Sequence, residues 1–496
     1  MRMRPTISWS DLRGARAGVW GLGVEGNANL RKLTALGAGP VPVDDRPRTA
    51  GPPAPGAGPV LVDDRPRTGG PPVLATGAGG LEALASCDVV VKSPGISRYR
   101  PEVRYLEERG IPVVGGLGLW LAGADRDRVV CVTGTKGKSS TTAVAGHILR
   151  RWGYRCMVGG NIGQPPWDPA QDDADQDFWL IETSSYQATD LAFSPPVVAV
   201  TSLHPDHLDW HCDVENYYRD KLSACSQPGA DLTVANGDSD LLHDRAGLLG
   251  PRVEWVRAED EPGADWMAPL GLFGMHNRRN ALIARACLRA LGVPEAGDEA
   301  ALRDAAAGFV PLASRLQVIG EVAGVTFVDD SLSTNVLPTL AALDAFPARR
   351  VALIAGGHDR GIDYQPLAAG LATRDVATLV LAVPDSGPRI QAAIEAESPG
   401  KVEVASCPGL AGAVERGFRW ALPDGVVLLS PAAPSFGHFR DYRDRGEAFA
   451  RAMHACGRDV SGLSNQSGVS GADPAPASLR PGRDHGIGGA RTPPIP

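Results

Sequence analysis

A glycine-bracketed turn between a predicted strand and a predicted helix constrains the fold of this chain more than any other segment. Residues 129–151 read VVCVTGTKGKSSTTAVAGHILRR, where a β-branched run ends at Gly134 and helical periodicity begins after Gly137. A helix that starts directly after such a turn presents unpaired backbone N–H groups and its positive dipole end to one point. Polyphosphates bind in this geometry, so the segment predicts a phosphate-binding loop at a strand end.

Lys138 and Ser139 follow the turn at the positions where phosphate-binding loops carry a lysine and a hydroxyl. We expect Lys138 to reach the β- and γ-phosphates and Ser139 to ligate Mg²⁺. The segment from Gly134 to Gly137 is shorter than the standard G-x-x-x-x-G-K-[ST] loop. The alternative is a plain strand-to-helix turn in which both side chains face solvent.

Composition places the chain among globular proteins of several domains. Its 496 residues are 43% hydrophobic and 21% charged, and the net charge is −8. That acidic balance argues against a nucleic-acid-binding surface. The 8 cysteines are scattered without metal-ligand spacing, which predicts reduced thiols. No segment reads as a membrane span or a leader, so we expect a cytoplasmic protein without membrane partners. We also expect it to be a monomer.

A second glycine-rich turn, GLGVEG at residues 21–26, lies between a predicted strand and helix in the manner of a dinucleotide-type Rossmann half. A Rossmann-like unit without a ligand is the alternative. Residues 37–53 recur almost verbatim at 56–72 and offer two candidates for the next strand, ending at Asp44 or Asp63. The first copy lies nearer the helix but is interrupted by a proline, so both candidates stay open.

Two predicted strands near the phosphate-binding loop lead into side chains that bind metals or phosphate. Residues 177–182 end at Glu182, whose carboxylate could complete a Mg²⁺ shell. Residues 196–201 lead into SLHPDHLDWH at 202–211, with three histidines and two aspartates. The structural alternatives are a helix cap for Glu182 and ordinary structural histidines.

The alternation of strand and helix patterns predicts an α/β protein of three domains followed by a tail. We expect a Rossmann-like N-terminal domain over residues 1–124 and a central P-loop ATPase-like parallel-sheet domain over 125–311. A C-terminal Rossmann-like α/β domain follows over 312–457. Residues 458–496 lack apolar periodicity, which predicts a disordered tail.

A series of ordered motifs resembles the Mur ligases of peptidoglycan synthesis. The motifs are GLGVEG, KSPGI, TGTKGKSS, GGNIG, ETSSYQ, DHLD, YYRDKL, HNRRNA, SRLQ, DDSLSTN and LLSPAAPSF, all within residues 14–458. The resemblance implies that ATP phosphorylates the carboxylate of UDP-N-acetylmuramoyl-L-alanine and that the amine of glutamate attacks the acyl phosphate. The implied process is cell-wall biogenesis, with its links to cell shape and division.

The resemblance also assigns roles to single residues. It implies catalytic roles for Lys138, Glu182, His207 and Lys221, and two Mg²⁺ ions held by Ser139, Glu182, His207 and Lys221. Because an ammonium does not bind a cation, Lys221 would act after carbamylation by CO₂. Direct contact of Lys221 with phosphate is the alternative.

Three substrate-binding sets follow from the same resemblance. The residues that it implies for ATP binding are Gly134, Thr135, Lys136, Gly137, Lys138, Ser139, Ser140, Asn277, Asn280, Arg315 and Asp330. For the UDP-sugar they are Gly23, Val24, Glu25, Ser93, Gly95 and Asn161. For the amino acid they are Arg360, Ser435 and Tyr442.

The chain departs from the family pattern mainly around the amino-acid pocket. Leu332 and Arg360 stand where the D-glutamate-adding members typically have lysines, and SPAAPSFGHF replaces their SPACASLDQF. Lys136 and Ser202 each replace an asparagine. This pattern resembles the branch that adds L-glutamate before a separate epimerase acts, and we favour it over D-glutamate. A noncatalytic nucleotide-binding paralogue and a dehydrogenase are the remaining alternatives.

Overall fold

The computed structural model describes residues 4–45, 72–170, 175–261 and 265–466, with side chains described to residue 458. Three separate sheets, of five, six and six strands, follow one another along the chain. The fold is α/β, as the sequence predicts. Among the described helices, none combines the length and the apolar character needed to cross a bilayer.

The first sheet is parallel, with the strand order β3-β2-β1-β4-β5. Its strands are β1 (Arg16–Trp20), β2 (Gly39–Asp44), β3 (Leu74–Ala75), β4 (Val89–Lys92) and β5 (Val113–Gly115). Its helices are α1 (Val24–Ala35), α2 (Leu81–Ala85), α3 (Pro101–Glu108) and α4 (Gly116–Gly123).

The first copy of the repeat supplies β2, which resolves the choice that the sequence left open. The Gly21 amide donates to Val43 O at 2.8 Å, and Asp44 accepts from the Leu22 amide at 2.7 Å. Pro42 is tolerated because β3 pairs with β2 only at the two residues after it, so among the described residues no strand pairs with that side of β2 at Pro42. The competing strand, residues 60–62 of the second copy, lies outside the described residues.

The central sheet is entirely parallel, with the strand order β11-β10-β9-β6-β8-β7. Its strands are β6 (Val129–Thr133), β7 (Cys156–Gly160), β8 (Phe178–Glu182), β9 (Val197–Val200), β10 (Leu232–Asn236) and β11 (Arg252–Val256). Its helices are α5 (Lys138–Arg151), α6 (Ser185–Ala188), α7 (Leu208–His211), α8 (Val214–Leu222), α9 (Asp240–His243), α10 (Met275–Ala290) and α11 (Glu299–Ala306). All of β6 is buried, so the phosphate-binding loop begins in the middle of the sheet.

The third sheet has the strand order β12-β13-β17-β14-β15-β16. Its strands are β12 (Gln317–Val322), β13 (Val325–Asp329), β14 (Val351–Gly356), β15 (Thr378–Val383), β16 (Glu403–Ser406) and β17 (Val426–Leu429). Its helices are α12 (Val336–Asp344), α13 (Gln365–Ala372), α14 (Gly387–Glu397), α15 (Leu410–Ala421) and α16 (Tyr442–Gln466). The proposed tail therefore begins as helix, and residues 467–496 lie outside the described residues.

A Rossmann-like third domain would have a parallel sheet, but β12 pairs antiparallel with β13, so the expectation of a wholly parallel sheet is wrong. Only Ala323 and Gly324 separate the two strands, with φ of 48° and 82°. A two-residue connection with positive φ at both positions reverses the chain direction, whereas a parallel pair needs a long crossover.

One apolar core joins the first and central sheets. It includes Val19 of β1, Leu119 of α4 and Ile181 of β8, all nearly inaccessible to solvent. The third domain has two apolar clusters built from its own residues, one on each face of its sheet. The first two sheets thus form one packed unit that carries the phosphate-binding loop.

Candidate functional site

The phosphate-binding loop requires glycine at both of its ends. Gly134 and Gly137 have φ of 136° and 90°. A Cβ atom on Gly134 would lie 2.3 Å from Thr201 Oγ1, and one on Gly137 would lie 2.6 Å from Asn280 Oδ1. Any side chain there would therefore clash with its neighbours as well as strain the backbone. The close approach also brings Asn280 of α10 against the loop.

The segment after β9 holds the loop in place. The Thr135 amide donates to Ser202 O at 2.9 Å, and the Lys136 amide donates to Ser202 Oγ at 2.8 Å. Thr201 Oγ1 donates to Lys136 O at 2.5 Å. Ser202, one of the departures from the family pattern, thus supplies side-chain and main-chain bonds that fix the loop.

Lys138, the first residue of α5, folds back over the loop. Its Nζ donates to Gly134 O at 2.8 Å and to Thr135 O at 3.2 Å. Burial lowers the pKa of Lys138 to about 8, an effect that the nearby Glu182 carboxylate opposes. A bound phosphate would compete with these carbonyl oxygens for the same ammonium group and would favour its charged form.

Ser139 and Glu182 meet directly beside the loop. Ser139 Oγ donates to Glu182 Oε2 at 2.6 Å, and Asn161 Nδ2 donates to Glu182 Oε1 at 2.6 Å. Arg315 of the third domain donates to Ser139 Oγ at 3.0 Å. The hydroxyl and the carboxylate have the hard-oxygen chemistry that Mg²⁺ prefers. Asn161, predicted to bind the UDP-sugar, lies against this carboxylate.

Lys221, which is buried in α8, also contacts the loop. Its Nζ donates to Gly134 O at 3.0 Å and lies 5.1 Å from the ring centre of Tyr217. Burial, reinforced by the charge of Lys138, holds the pKa of Lys221 well below its usual range. A neutral amine is the form that reacts with CO₂, so the environment suits the predicted carbamate.

His207 is the most exposed of the predicted metal ligands. Its backbone has φ of 53°, and its Nε2 lies 3.8 Å from Asp206 Oδ2. Partial burial lowers the pKa of His207, which favours the neutral ring that metals bind. In the part of the chain that the structure describes, no three His, Cys, Asp or Glu side chains cluster as a metal site. The predicted ligand set instead relies on a hydroxyl and a modified lysine.

The predicted UDP-sugar residues line the turn after β1 and the turn after β4. Ser93 Oγ donates to Gly21 O at 2.6 Å, and a Cβ atom on Gly26 would lie 1.8 Å from that same oxygen. Gly23 caps α1 and Val24 begins it. Glu25 accepts from Gln187 Nε2 of the central domain at 2.5 Å, and burial raises the pKa of Glu25 to about 7. Gly95 is exposed at the second turn.

The turn after β4 is attached to the central domain by contacts that the sequence did not predict. Trp210 Nε1 donates to Pro94 O at 3.1 Å, and Ser97 Oγ donates to Trp210 O at 2.7 Å. A buried ion pair joins Lys92 Nζ to Asp190 Oδ2 at 2.7 Å. Trp210 belongs to the histidine-rich segment after β9, so this segment links the predicted sugar-nucleotide and metal sites.

A buried network of polar side chains extends this contact between the N-terminal and central domains. Tyr99 OH donates to Asp220 Oδ2 at 3.0 Å, and His211 Nδ1 lies 2.7 Å from the same oxygen. His211 Nε2 lies 2.9 Å from Ser185 Oγ. Asp220 immediately precedes Lys221, so the N-terminal domain contacts the helix that carries this lysine.

A cleft of about 200 Å³ lies between the central and third domains beside the phosphate-binding loop. The predicted ATP residues among its walls are Lys136, Gly137, Ser140, Asn277, Asn280, Arg315 and Asp330. The walls that the sequence did not predict include His276, Arg279 and Leu337. Leu332 also lines the cleft, so a departure from the family pattern faces the predicted ATP site.

Asp330 is buried in this cleft and accepts three hydrogen bonds. Its donors are Ser333 Oγ at 2.5 Å, Ser430 Oγ at 2.7 Å and the Leu316 amide at 3.1 Å. Burial nevertheless raises the pKa of Asp330 to about 7. The neighbouring His276 has its pKa lowered to about 4 by burial. Both groups are therefore biased toward their neutral forms.

The third domain contains a second cavity, of about 230 Å³, at the carboxyl ends of β14, β15 and β17. Ser435 lines it, whereas Arg360 is exposed and lies 5.6 Å from the ring centre of Phe436. Tyr442 begins α16 and accepts from Arg443 Nε at 3.3 Å. Arg445 also lines the cavity and was not predicted.

Comparisons with known proteins agree with this architecture. The sequence profile of the Mur ligase middle domain matches residues 132–268, and that of the Mur ligase glutamate ligase domain matches residues 314–433. A relative from Micromonospora sp. is 40% identical over 91% of this chain and 98% of its own, and one from Salinispora tropica is 40% identical over 91% and 99%. Both are named UDP-N-acetylmuramoyl-L-alanine--L-glutamate ligase.

Solved structures show the same fold at low sequence identity. The MurF ligase of Thermotoga maritima in complex with ADP is 15% identical, with a TM-score of 0.52 over 91% of this chain and 99% of its own. The MurC ligase of Thermotoga maritima is 18% identical, with a TM-score of 0.50 over 89% and 99%. On the strength of the two domain profiles and the long relatives, this chain belongs to the Mur ligases, the ATP-dependent amide-bond-forming enzymes of peptidoglycan synthesis.

Proposed function

We propose that the chain joins L-glutamate to UDP-N-acetylmuramoyl-L-alanine at the expense of ATP. The observation that carries the proposal is the meeting of Lys138, Lys221 and the Ser139–Glu182 pair around one loop. The names of the relatives supply the substrates. The proposal includes the assignment of the three domains to sugar nucleotide, ATP and amino acid.

The first chemical step is proposed at the phosphate-binding loop. A carboxylate oxygen of the alanyl substrate attacks the γ-phosphorus of ATP, the bond to the β-γ bridging oxygen breaks, and ADP leaves. Lys138, Arg315 and the loop amides would neutralise charge that spreads over the transferred phosphoryl group. Ser139 and Glu182, with His207 and carbamylated Lys221, would hold two Mg²⁺ ions. These ions supply charge neutralisation at the phosphates.

The second step forms the amide. The amine of glutamate attacks the acyl carbon, and the tetrahedral intermediate loses inorganic phosphate and a proton. The acyl phosphate is labile in water, so closure of the third domain over the cleft would protect it. Arg315 already spans this boundary through its hydrogen bond to Ser139.

The experiment that tests this function measures ADP release with UDP-N-acetylmuramoyl-L-alanine and each glutamate enantiomer in turn. We expect ADP release to require both co-substrates and to be faster with L-glutamate, and mass spectrometry to detect the glutamyl product. Faster turnover with D-glutamate would reverse the stereochemical assignment. Absence of ADP release with either enantiomer would favour a noncatalytic paralogue. The proposal places the reaction in the cytoplasm, in a monomer, before a separate epimerase.

A further inference from the structure

The imidazole of His207, a predicted Mg²⁺ ligand, has few polar contacts of its own. The side chain is 50% exposed, and an oxygen of Asp206 lies 3.8 Å from its Nε2. Among the residues that the structure describes, none makes a hydrogen bond to this ring. The backbone has φ of 53°, a conformation that a residue other than glycine keeps only when its surroundings impose it. Packing against neighbouring side chains therefore has to fix the ring.

Tyr186 supplies this packing contact. Its ring centre lies 5.1 Å from that of His207. The same ring stacks on the indole of Trp210, with 4.5 Å between the ring centres and 22° between the ring planes. Stacked aromatic rings attract each other beyond the effect of the area that they bury. The position of the indole thus determines where Tyr186 can support the imidazole.

Trp210 is itself attached to the turn after β4, which belongs to the N-terminal domain. Its Nε1 donates to Pro94 O at 3.1 Å, and its main-chain oxygen accepts from Ser97 Oγ at 2.7 Å. Lys92 Nζ lies 5.7 Å from the centre of the indole, within the range of a cation–π contact. Trp210 is only 7% exposed, so little water competes for these bonds.

The main chain of Trp210 also holds His207. Its amide donates to His207 O at 3.1 Å. Helix α7 contains Trp210 and has His207 as its N-cap. Trp210 therefore acts on the predicted metal ligand by two routes, through the ring of Tyr186 and through the short helix that both residues share.

The bond from the indole ends between two predicted sugar-nucleotide residues. Pro94 lies between Ser93 and Gly95 in the sequence, and its carbonyl belongs to the same peptide group as the Gly95 amide. A ligand that orders this turn also orders the acceptor of Trp210. The turn and His207 have different ligands in the proposed function, so the indole connects two binding sites.

We propose that Trp210 is a positioning residue that couples binding of the sugar nucleotide to binding of Mg²⁺ at His207. Coupling between two ligands is reciprocal, so each should raise the affinity for the other by the same factor. The inference rests on the proposed function, which assigns the metal to His207 and the sugar nucleotide to the turn.

The first experiment titrates Mn²⁺ into the protein with a nonhydrolysable ATP analogue and follows binding by electron paramagnetic resonance. His207→Ala identifies the ion that His207 binds. Loss of a group that orients a metal ligand commonly lowers metal affinity by about 10–100-fold, so we expect Trp210→Phe to weaken this ion at least about tenfold. The other ion should bind as in wild type.

Trp179→Phe is the matched control for this titration. Trp179 meets Trp120 of the N-terminal domain at 5.2 Å, a contact across the same domain boundary that includes neither the turn nor His207. We expect this variant to bind both ions like wild type. Equal Mn²⁺ affinities in Trp210→Phe and Trp179→Phe would overturn the proposal. A lower Tm of Trp210→Phe with unchanged Mn²⁺ affinity would do the same, because it indicates a purely structural role.

Adding UDP-N-acetylmuramoyl-L-alanine to the titration measures the coupling itself. We expect the sugar nucleotide to raise the Mn²⁺ affinity of wild type, with a smaller gain in Trp210→Phe and in Ser97→Ala. Ser97→Ala removes the hydrogen bond to Trp210 O but keeps the indole, so it remains informative if Trp210→Phe folds poorly. Absence of a gain in wild type, or an equal gain in the variants, would contradict the inference.

Two changes at Tyr186 test the route to the imidazole. Tyr186→Phe keeps the ring and Tyr186→Leu removes it, so only the leucine variant should weaken the ion at His207. Equal affinities in the two variants would refute the proposed route. If His207→Ala loses no Mn²⁺ and wild type releases no ADP with both co-substrates, the proposed function fails. If wild type turns over and His207→Ala loses one ion, normal metal binding by Trp210→Phe refutes only the role of Trp210.

Discussion

Lys138 and Lys221 donate hydrogen bonds to the same carbonyl oxygen, that of Gly134, at 2.8 and 3.0 Å. The two lysines come from different helices, α5 and α8. Burial lowers the pKa of both groups. Two lysine amines with lowered pKa values therefore bind one main-chain oxygen, at the site proposed for phosphoryl transfer.

Replacing Lys138 by alanine tests the loop assignment. We expect Lys138→Ala to lower kcat at saturating ATP by at least about 100-fold, because a preorganised charge on the transferred phosphoryl group is removed. Lys401→Ala, which changes an exposed lysine of the third domain, is the control and should turn over like wild type. Steady-state ADP release measures both variants. A Lys138→Ala enzyme with normal kcat would show that the loop does not bind the reacting phosphate.

Lys221→Ala tests whether this lysine acts as a carbamate. We expect most activity to be lost and a part to return on addition of short carboxylates, which can occupy the space of the missing anion. Native mass spectrometry of wild type with and without bicarbonate measures the modification directly. Full activity of Lys221→Ala without added carboxylate would argue against a metal-binding role, and loss without rescue would favour direct phosphate contact.

Gly137→Ala separates close contact from backbone strain. The added Cβ would lie 2.6 Å from Asn280 Oδ1, at a φ of 90°. Gly153 has a similar φ of 88° but nothing within 4 Å of its added Cβ, so Gly153→Ala is a matched control for strain alone. Backbone strain at such a φ lowers the free energy of unfolding by about 1–3 kcal/mol, and we expect this loss in both variants. Only Gly137→Ala should also lose affinity for ATP. Equal nucleotide affinity in the two variants would refute the contact argument.

Tyr99→Phe tests the junction between the N-terminal domain and α8. The change removes the hydrogen bond to Asp220 but keeps the ring, which meets Trp210 edge-on at 6.3 Å. We expect a loss of about 1–3 kcal/mol in unfolding free energy, together with a higher KM for the sugar nucleotide. Tyr105→Phe, in α3 of the same domain, is the control. An unchanged KM would show that the junction contributes stability without positioning the substrate.

Glu25→Gln tests a pH dependence of stability. The pKa of Glu25 is raised by burial from 4.5 to about 7, so the folded chain binds this proton more tightly than the unfolded chain. The free energy of unfolding should therefore fall as pH rises between these two values. Glutamine cannot ionise, so urea unfolding should show the variant to be more stable than wild type at pH 8 but not at pH 4. Glu108→Gln, at an exposed site of α3, should show no such crossover.

The phosphate-binding loop and the parallel sheet were predictable because local patterns determine them. Residues 129–151 carry the strand, the glycines and the helix in one contiguous segment. The β12–β13 hairpin also had a local signal in the Ala323-Gly324 turn, which a parallel interpretation overlooked. Such local patterns predict structure well because the local conformational preference agrees with the final fold.

Other features could not be predicted because they depend on contacts between distant segments. Tyr99 and Asp220 meet only after the first and central domains pack together. Arg445 did carry a local signal, since it shares a helical stripe with the buried Phe449 and Met453. An arginine in an apolar stripe indicates a buried cation, but only the folded third domain reveals the cavity beside it.

The common core of the first and central sheets also bears on how this enzyme can move. Because Val19, Leu119 and Ile181 lie in one apolar cluster, sliding one sheet past the other would expose hydrocarbon to water. The third domain meets that unit through contacts such as Arg315 with Ser139 and Phe273 with Phe346. Under the proposed function, the shared core would keep the sugar-nucleotide and phosphate sites at a constant separation, while the third domain would bring the amine to them.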